Sequence, residues 1–225
     1  MKKRLWIYWE NIEGRPEPPH ITLCRETMRR NAGVPVELVN SDNLRDFLPD
    51  IHPNIDLIER MDEPGVPCLA IKTDFIRIFL LEKYGGLYLD SDAIVMRDLG
   101  EIFDCLEQKD FVCTRKTSRI QHRIPNNFIA SRPGGRLITM FANHMRTELA
   151  NRTTFEWGET GAQPLTPLVN ANREHVCEIP EDRVHPIINN EQEFFADREL
   201  SLEEALPQNS LICMLFHGVF DKNHP

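Results

Sequence analysis

Between Leu69 and Val95 the chain changes period within a few residues. Leu69 to Tyr84 places Ile71, Phe75, Ile78 and Phe79 on one stripe, which predicts a largely buried helix. Lys83 stands in its last turn, and Gly85-Gly86 supplies the left-handed residue that ends it. Leu87-Tyr88-Leu89 reads as a strand, followed at once by Asp90-Ser91-Asp92 and by Ala93-Ile94-Val95-Met96 as more extended chain. A buried helix running straight into a buried strand belongs to a layered α/β domain. Two carboxylates bracketed by apolar strand residues are the anomaly in it.

The remaining segments fit the same layering. Leu5–Trp9 predicts a first strand, the polar, Pro-rich Glu10–His20 a loop, and Ile21–Asn31 a helix with Ile21, Cys24 and Met28 at helical spacing. Gly33-Val34-Pro35 interrupts before a second strand at Val36–Val39, so the chain opens as a βαβ unit. Ligands in such sheets collect beyond the carboxyl ends of strands, which marks Trp9 and Asn40 to Asn43 as binding positions. Downstream, Phe111–Thr114 and Asn126–Ala130 predict strands and Leu137–Leu149 an amphipathic helix. Glu159–Pro164 reads as a loop into a helix at Leu165–Asn170, and Leu211–Phe216 as a late strand ending in His217-Gly218. No repeat, low-complexity tract or linker interrupts the 225 residues, so one domain over 1–225 is expected.

Charge narrows the partners. Lys and Arg number 26 against 35 Asp and Glu, a net charge of −9. Such a chain is not expected to bind nucleic acid or an anionic membrane by bulk charge. A phosphorylated ligand would need a local device: a divalent cation, an Arg or a helix N-terminus. No apolar run approaches the ~20 residues that cross a bilayer, and the run Leu5–Trp9 is shorter than the ~7–15 residues of a signal-peptide core. The six cysteines form no CxxC pair and are scattered, which predicts reduced, mostly buried thiols and an intracellular protein. The Asn151-Arg152-Thr153 sequon then has no consequence.

Two constellations can do chemistry. Burying ionised Asp90 and Asp92 one residue apart costs several kcal/mol each unless they are paired, hydrogen-bonded or metal-bound. Mg²⁺ or Mn²⁺, which favours oxygen ligands and is commonly held by one or two carboxylates plus substrate phosphates, relieves both the desolvation and the repulsion. A solvated Asp-rich turn is the alternative. Asp74 and Arg77, three residues apart, share a helix face with Ile78 and Leu81. They read either as an intrahelical ion pair or as a guanidinium on a phosphate with a carboxylate on a sugar hydroxyl.

Taken as one unit, Lys72-Thr-Asp-Phe-Ile-Arg through Gly85-Gly-Leu-Tyr-Leu-Asp-Ser-Asp92 resembles the signature of glycosyltransferases with the DXD sugar-binding region. That group includes capsular polysaccharide synthesis proteins, initiating mannosyltransferases and clostridial glucosylating toxins. The pattern Ser/Thr-Asp-x-x-Arg, an apolar stretch, then Gly-Gly-x-Tyr-x-Asp-x-Asp is filled at every fixed position over about 25 residues. The resemblance implies a GT-A fold, Rossmann-like with a mixed central sheet flanked by helices. It implies a UDP- or GDP-hexose donor, a saccharide or lipid-linked saccharide acceptor, retention of anomeric configuration, and Mn²⁺ or Mg²⁺ on the diphosphate. Carried over, Asp92 and Asp90 hold the metal, with His217 as a late third ligand, and Asp90 and Arg77 act in catalysis beside Asp92. Trp9, Asn40, Asp74, Arg77, Tyr88, Asp90 and Asn127 bind the donor. Asn126, Thr160, Gly161 and Gln163 stand on the acceptor side. Surface polysaccharide synthesis from the cytoplasm, with peripheral membrane contact, is the implied setting. The chain departs from the family in having Ala162 where Thr-Gly-Pro is usual, and in lacking a Ser-Trp after His217 before Pro225; the latter bears on the lid over the nucleotide.

Two other classes share some of these residues. A haloacid dehalogenase-type phosphatase also uses Asp-x-Asp at a strand end, but its pair normally follows the first strand with a Thr close behind, unlike Asp92-Ala93-Ile94. A non-catalytic domain of the same fold would bind a nucleotide sugar or glycan without transfer, and the intact Asp-x-Asp speaks against it.

Overall fold

The computed structural model describes residues 1–11, 16–117, 122–187 and 206–215. Its centre is a six-stranded mixed sheet built from β1 (Leu5–Tyr8), β2 (Val36–Val39), β5 (Gly86–Leu89), β7 (Phe111–Thr114), β8 (Phe128–Ser131) and β10 (Val176–Ile179), in the order β10-β7-β8-β5-β1-β2. β1 runs parallel to both β2 and β5, β10 runs parallel to β7, and β8 is antiparallel to its two neighbours. The early βαβ unit therefore forms as read, with α1 spanning Pro19–Asn31. It starts two residues before Ile21 because Pro18 and Pro19 pre-set the entry to the first turn.

Because strand side chains alternate, the buried strands feed two cores. Trp6, Tyr8, Tyr88, Phe111 and Ile129 meet α3 (Leu69–Tyr84) and α5 (Arg136–Asn151) on one face. Leu5, Ile7, Leu87, Leu89 and Val112 meet Met28 of α1 and the apolar stripe of α4 (Gly100–Gln108) on the other. This second face also receives a two-stranded antiparallel ribbon of β6 (Ala93–Val95) and β11 (Ile212–Met214). The late apolar run is thus a strand across Ile212–Met214, and Phe216 and beyond lie outside the described residues.

Three details depart from the expectation. The strand expected from Asn126 starts at Phe128, because the Asn126 and Asn127 carbonyls accept from Arg77 and from the Asp90 N–H instead of entering the ladder. The helix expected at Leu165–Asn170 is α6, Ala162–Ala171. A small sheet of β3 (Glu59–Arg60), β4 (Glu63–Pro67) and β9 (Thr154–Phe155), with the short α2 (Leu44–Phe47) and a 3₁₀ turn (Pro53–Leu57) before it, has no periodicity from which it could be read. α7 (Glu181–Val184), directly after β10, is too short to show one either.

The junction between α3 and β5 positions everything that follows. Gly85 ends the helix at φ +65°, and its N–H still bonds to the Leu81 carbonyl at 2.9 Å. Its own carbonyl accepts the buried Trp6 indole N–H at 2.9 Å, tying the turn to β1. A Cβ at Gly85 would stand 2.7 Å from the Pro133 nitrogen. Gly85→Ala is therefore expected to cost about 1–3 kcal/mol from backbone strain, with the collision added. Equilibrium urea unfolding checks this, and a loss below a few tenths would contradict it.

Candidate active site

β1 and β5 are neighbours running the same way, so their carboxyl ends open on one crevice. A cavity of about 530 Å³ lies there, walled by Tyr8, Trp9 and Glu10 after β1, by Leu69, Ala70 and Thr73 on α3, and by Asp90, Ser91 and Asp92 after β5. Ser91 Oγ donates to the Tyr8 carbonyl at 2.7 Å, which pins the β5 end to the β1 end, and the flanking aspartates line the cavity on either side of it.

Arg77 sits at the base of the cavity with its side chain 4% exposed. Its Nη2 lies 2.9 Å from Asp90 Oδ1 and 3.3 Å from Asp74 Oδ1, while Nη1 donates to the Asn126 carbonyl at 2.6 Å. The guanidinium also lies 4.9 Å from the Tyr88 ring centroid. Asp74 is fully engaged, since Asn126 Nδ2 donates to Oδ1 at 2.8 Å and Thr160 Oγ1 to Oδ2 at 2.7 Å. Of the two readings of the Asp74/Arg77 pair, the structure shows the ion pair, with Arg77 in the cavity wall. Loss of water pushes the Asp90 carboxyl up to about 6, with Arg77 opposing and the charges of Asp92 and Asp74 reinforcing. Asp74 and Asp90 both pair with Arg77, and Asp92 lines the cavity beside Asp90.

A second cluster at the rim is visible only in three dimensions. Lys72, nearly buried, reaches Glu10 Oε2 at 3.0 Å and Asp56 Oδ1 at 3.4 Å, and the Tyr8 hydroxyl donates to the same Glu10 oxygen. Lys72 belonged to the quoted sequence signature, but Glu10 stood in a polar loop with no motif around it, so no signal could have found this cluster.

The other candidate residues divide. Trp9 lines the cavity, its indole N–H donating to Asn11 Oδ1 at 2.8 Å. Asn126, Thr160 and Gly161 gather at Asp74; a Cβ on Gly161 would stand 3.0 Å from the Asn126 amide nitrogen, so the absence of a side chain lets that loop approach. Asn127 Oδ1 is met by Nε2 of His185, a residue with no sequence signal, 1% exposed. Burial, reinforced by Lys116 and opposed by Glu181, lowers the His185 pKa to about 3, so the ring is neutral and donates through Nε2. Tyr88 is a correction: it is wholly buried beneath Arg77 and is not part of the cavity wall. Asn40 Oδ1 accepts from the N–H groups of Asp42 and Asn43 and holds the turn after β2. Gln163 is exposed, with Nε2 3.5 Å from the Trp157 carbonyl. His217 lies outside the described residues. Among the described residues no group of three or more His, Cys, Asp and Glu side chains has the geometry to hold a metal, and no helix is long and apolar enough to cross a membrane.

A mixed sheet with an Asp-x-Asp at the end of an inner strand, over a crevice formed with the first strand, is the architecture of the GT-A fold. Solved structures bear the fold out. The PaToxG glycosyltransferase superposes with a TM-score of 0.55 at 14% identity, covering 76% of this chain and 69% of that one. Mouse xyloside xylosyltransferase 1 gives 0.54 at 9% identity over 94% and 96% of the two chains. A glycosyltransferase involved in the glycosylation of the major capsid of PBCV-1 gives 0.52 at 9% over 98% and 97%. The chain belongs to the family of capsular polysaccharide synthesis proteins, which its residues 1–155 match. It is also 29% identical over 132 residues to an uncharacterized glycosyltransferase of Acanthamoeba polyphaga mimivirus, covering 58% of this chain and 48% of that protein, so the chain spans about half the length of that relative. The fold also removes the phosphatase alternative, for Asp90 follows the fifth strand in the chain and is held by Arg77.

Two measurements test the electrostatics. Arg77→Met leaves Asp90 and Asp74 without their counter-charge and is expected to cost about 3–5 kcal/mol in urea unfolding. Unchanged stability would mean that the guanidinium does not hold the site together. For His185, the folded pKa near 3 lies below the ordinary 6.5, so the unfolded chain binds the extra proton between them. Its contribution is fully present above pH 6.5 and is lost as pH falls toward 3, with a slope of at most about 1.4 kcal/mol per pH unit. His185→Gln should flatten the stability profile between pH 6.5 and 4.5, and an unaltered slope would contradict a neutral buried ring.

Proposed function

We propose that residues 1–225 form one domain that moves a hexose from a UDP- or GDP-sugar to a saccharide or lipid-linked saccharide in surface polysaccharide synthesis, at the cytoplasmic face of the membrane. The observation that supports this best is that Asp90 and Asp92 both line the cavity at the end of β5, with Asp90 held by Arg77. An anionic diphosphate would be repelled by carboxylates in the wall unless a cation entered with it. Asp90 and Asp92 are oxygen donors one residue apart at a strand end, a set that fits Mg²⁺ or Mn²⁺ completed by substrate phosphate and water. When bound, such a cation supplies Lewis-acid stabilisation of the charge that develops on the leaving diphosphate.

The chain's own residues then divide the work. Asp92 and Asp90 would hold the cation, and Arg77 keeps Asp90 in place from behind while adding positive charge to the base of the pocket. Trp9 stands where a base can stack, and Leu69, Ala70 and Thr73 close the pocket against water from the α3 side. Asp74, with its two oxygens held by Asn126 and Thr160, ties the acceptor-side loop to the donor pocket. Among the described residues of the wall, Asp90 and Asp92 are assigned to the cation, Glu10 pairs with Lys72, and the hydroxyls of Tyr8, Thr73 and Ser91 donate to Glu10 and to backbone carbonyls. Attack by the acceptor hydroxyl on the face the diphosphate leaves, which retains configuration, is the reading that uses no protein nucleophile.

Asp92→Ala and Asp90→Asn are expected to lower sugar transfer by roughly 10²–10³ in an assay with Mn²⁺ and a panel of nucleotide sugars. The parent protein should also melt higher with the matching nucleotide sugar plus Mn²⁺ than with either alone. Near-parental transfer by both folded variants would overturn the assignment.

A further inference from the structure

In the turn that follows β9, Trp157 is 65% exposed two residues after the fully buried Phe155. A bulky indole left in water is the informative kind of exposure. The indole is also braced. Arg60 lies 5.7 Å from its ring centroid, and Arg60 is in turn held by Asp62, Nε to Oδ1 at 2.8 Å, with Glu63 Oε2 at 3.9 Å. The loop carrying it is tied down as well: Glu159 Oε2 accepts from the Glu156 N–H at 2.8 Å, and Glu159 Oε1 from Arg152 at 2.6 Å. Met61, whose N–H bonds to the Phe155 carbonyl at 3.0 Å, leaves its thioether half exposed on the same sheet.

The location matters as much as the surface. Three residues after Trp157, Thr160 donates to Asp74. β4 leads through Cys68 into α3, whose Leu69 and Ala70 wall the cavity. Trp157 therefore stands on the loop that brings Thr160 to Asp74, the neighbour of Arg77.

We propose that Trp157, propped by Arg60, is an acceptor subsite that stacks one ring of an uncharged saccharide; this rests on the glycosyltransferase reading. A pyranose presents a face of C–H bonds edged by hydroxyls, which matches an indole face whose brace, Arg60, is itself neutralised by Asp62 and Glu63. Arg60 and Arg152, the arginines that hold this region, are each already paired with carboxylates, so an acidic glycan or an anionic lipid headgroup would find its counter-charge engaged. A second copy of the chain would need roughly 800 Å² of complementary surface per partner, whereas here exposed Trp157, Met61 and Val66 stand among charges.

The test uses the full chain, ¹⁵N-labelled, titrated with neutral gluco-, galacto- and manno-oligosaccharides, with oligogalacturonate, and with phosphatidylethanolamine/phosphatidylglycerol vesicles. The chain has 3 Trp, so Trp157→Phe assigns the relevant indole N–H signal directly. A neutral oligosaccharide should move that signal saturably. Trp157→Ala should weaken its binding about tenfold while leaving the melting shift caused by UDP-glucose or GDP-mannose with Mn²⁺ as in the parent, and Trp157→Phe should recover most of the loss. No shift with any neutral oligosaccharide overturns the subsite, as does a shift produced by vesicles, by the acidic oligosaccharide or by raising the protein concentration instead. If neither nucleotide sugar shifts the melting of the parent, the glycosyltransferase reading fails on its own, and the saccharide titration still decides the subsite.

Discussion

A guanidinium taken out of water must be neutralised where it lies, and in this domain the groups that neutralise Arg77 are the groups that shape the crevice. Asp90 comes from the end of β5, Asp74 from one turn earlier on α3, and the Asn126 carbonyl from the chain entering β8. Each would be costly to bury alone, and none can shift without leaving a charge or a donor unmet. The strand end, the helix and the loop are thus locked at one point. Thr160, through Asp74, extends the lock to the loop ahead of α6.

The same arrangement divides the carboxylates. Asp74 uses both of its oxygens within the cluster, while Asp90 and Asp92 both reach the cavity wall, Asp90 with its carboxyl displaced upward by loss of water. The buried guanidinium thereby holds Asp74 and Asp90 in fixed positions before any ligand arrives.

Much of the fold was legible because its elements have strong local periods. α3 and β5 stand within a residue of their expected limits, and β2 and β7 fall where read, because apolar spacing and the Gly85-Gly86 stop act over a few residues. The small sheet was not legible: two-residue strands such as Glu59–Arg60 and Thr154–Phe155 carry no pattern, and only pairing across almost a hundred residues creates them. Of the site, the Asp-x-Asp and the Asp74/Arg77 pair were readable as chemistry out of place in apolar surroundings. Tyr88 was assigned to the pocket by motif, yet packing turns it beneath Arg77, while Asn40, taken from its strand end, holds the turn after β2. His185, Glu10 and Trp157 had no local context to announce them.

From the chain alone came the layered class, the helix-to-strand junction and the carboxylates displaced from water, all properties of residues within about 25 positions of one another. Only the tertiary structure decided which face each aspartate presents, that Ser91 is held by β1, that Asn126 and Thr160 converge on Asp74, and that an indole stands braced by Arg60. The reason is range. Periodicity and turn chemistry act between neighbours along the backbone, whereas desolvation and charge pairing act between whatever the fold brings within a few ångströms, and partners such as Asp74 and Thr160 lie 86 residues apart.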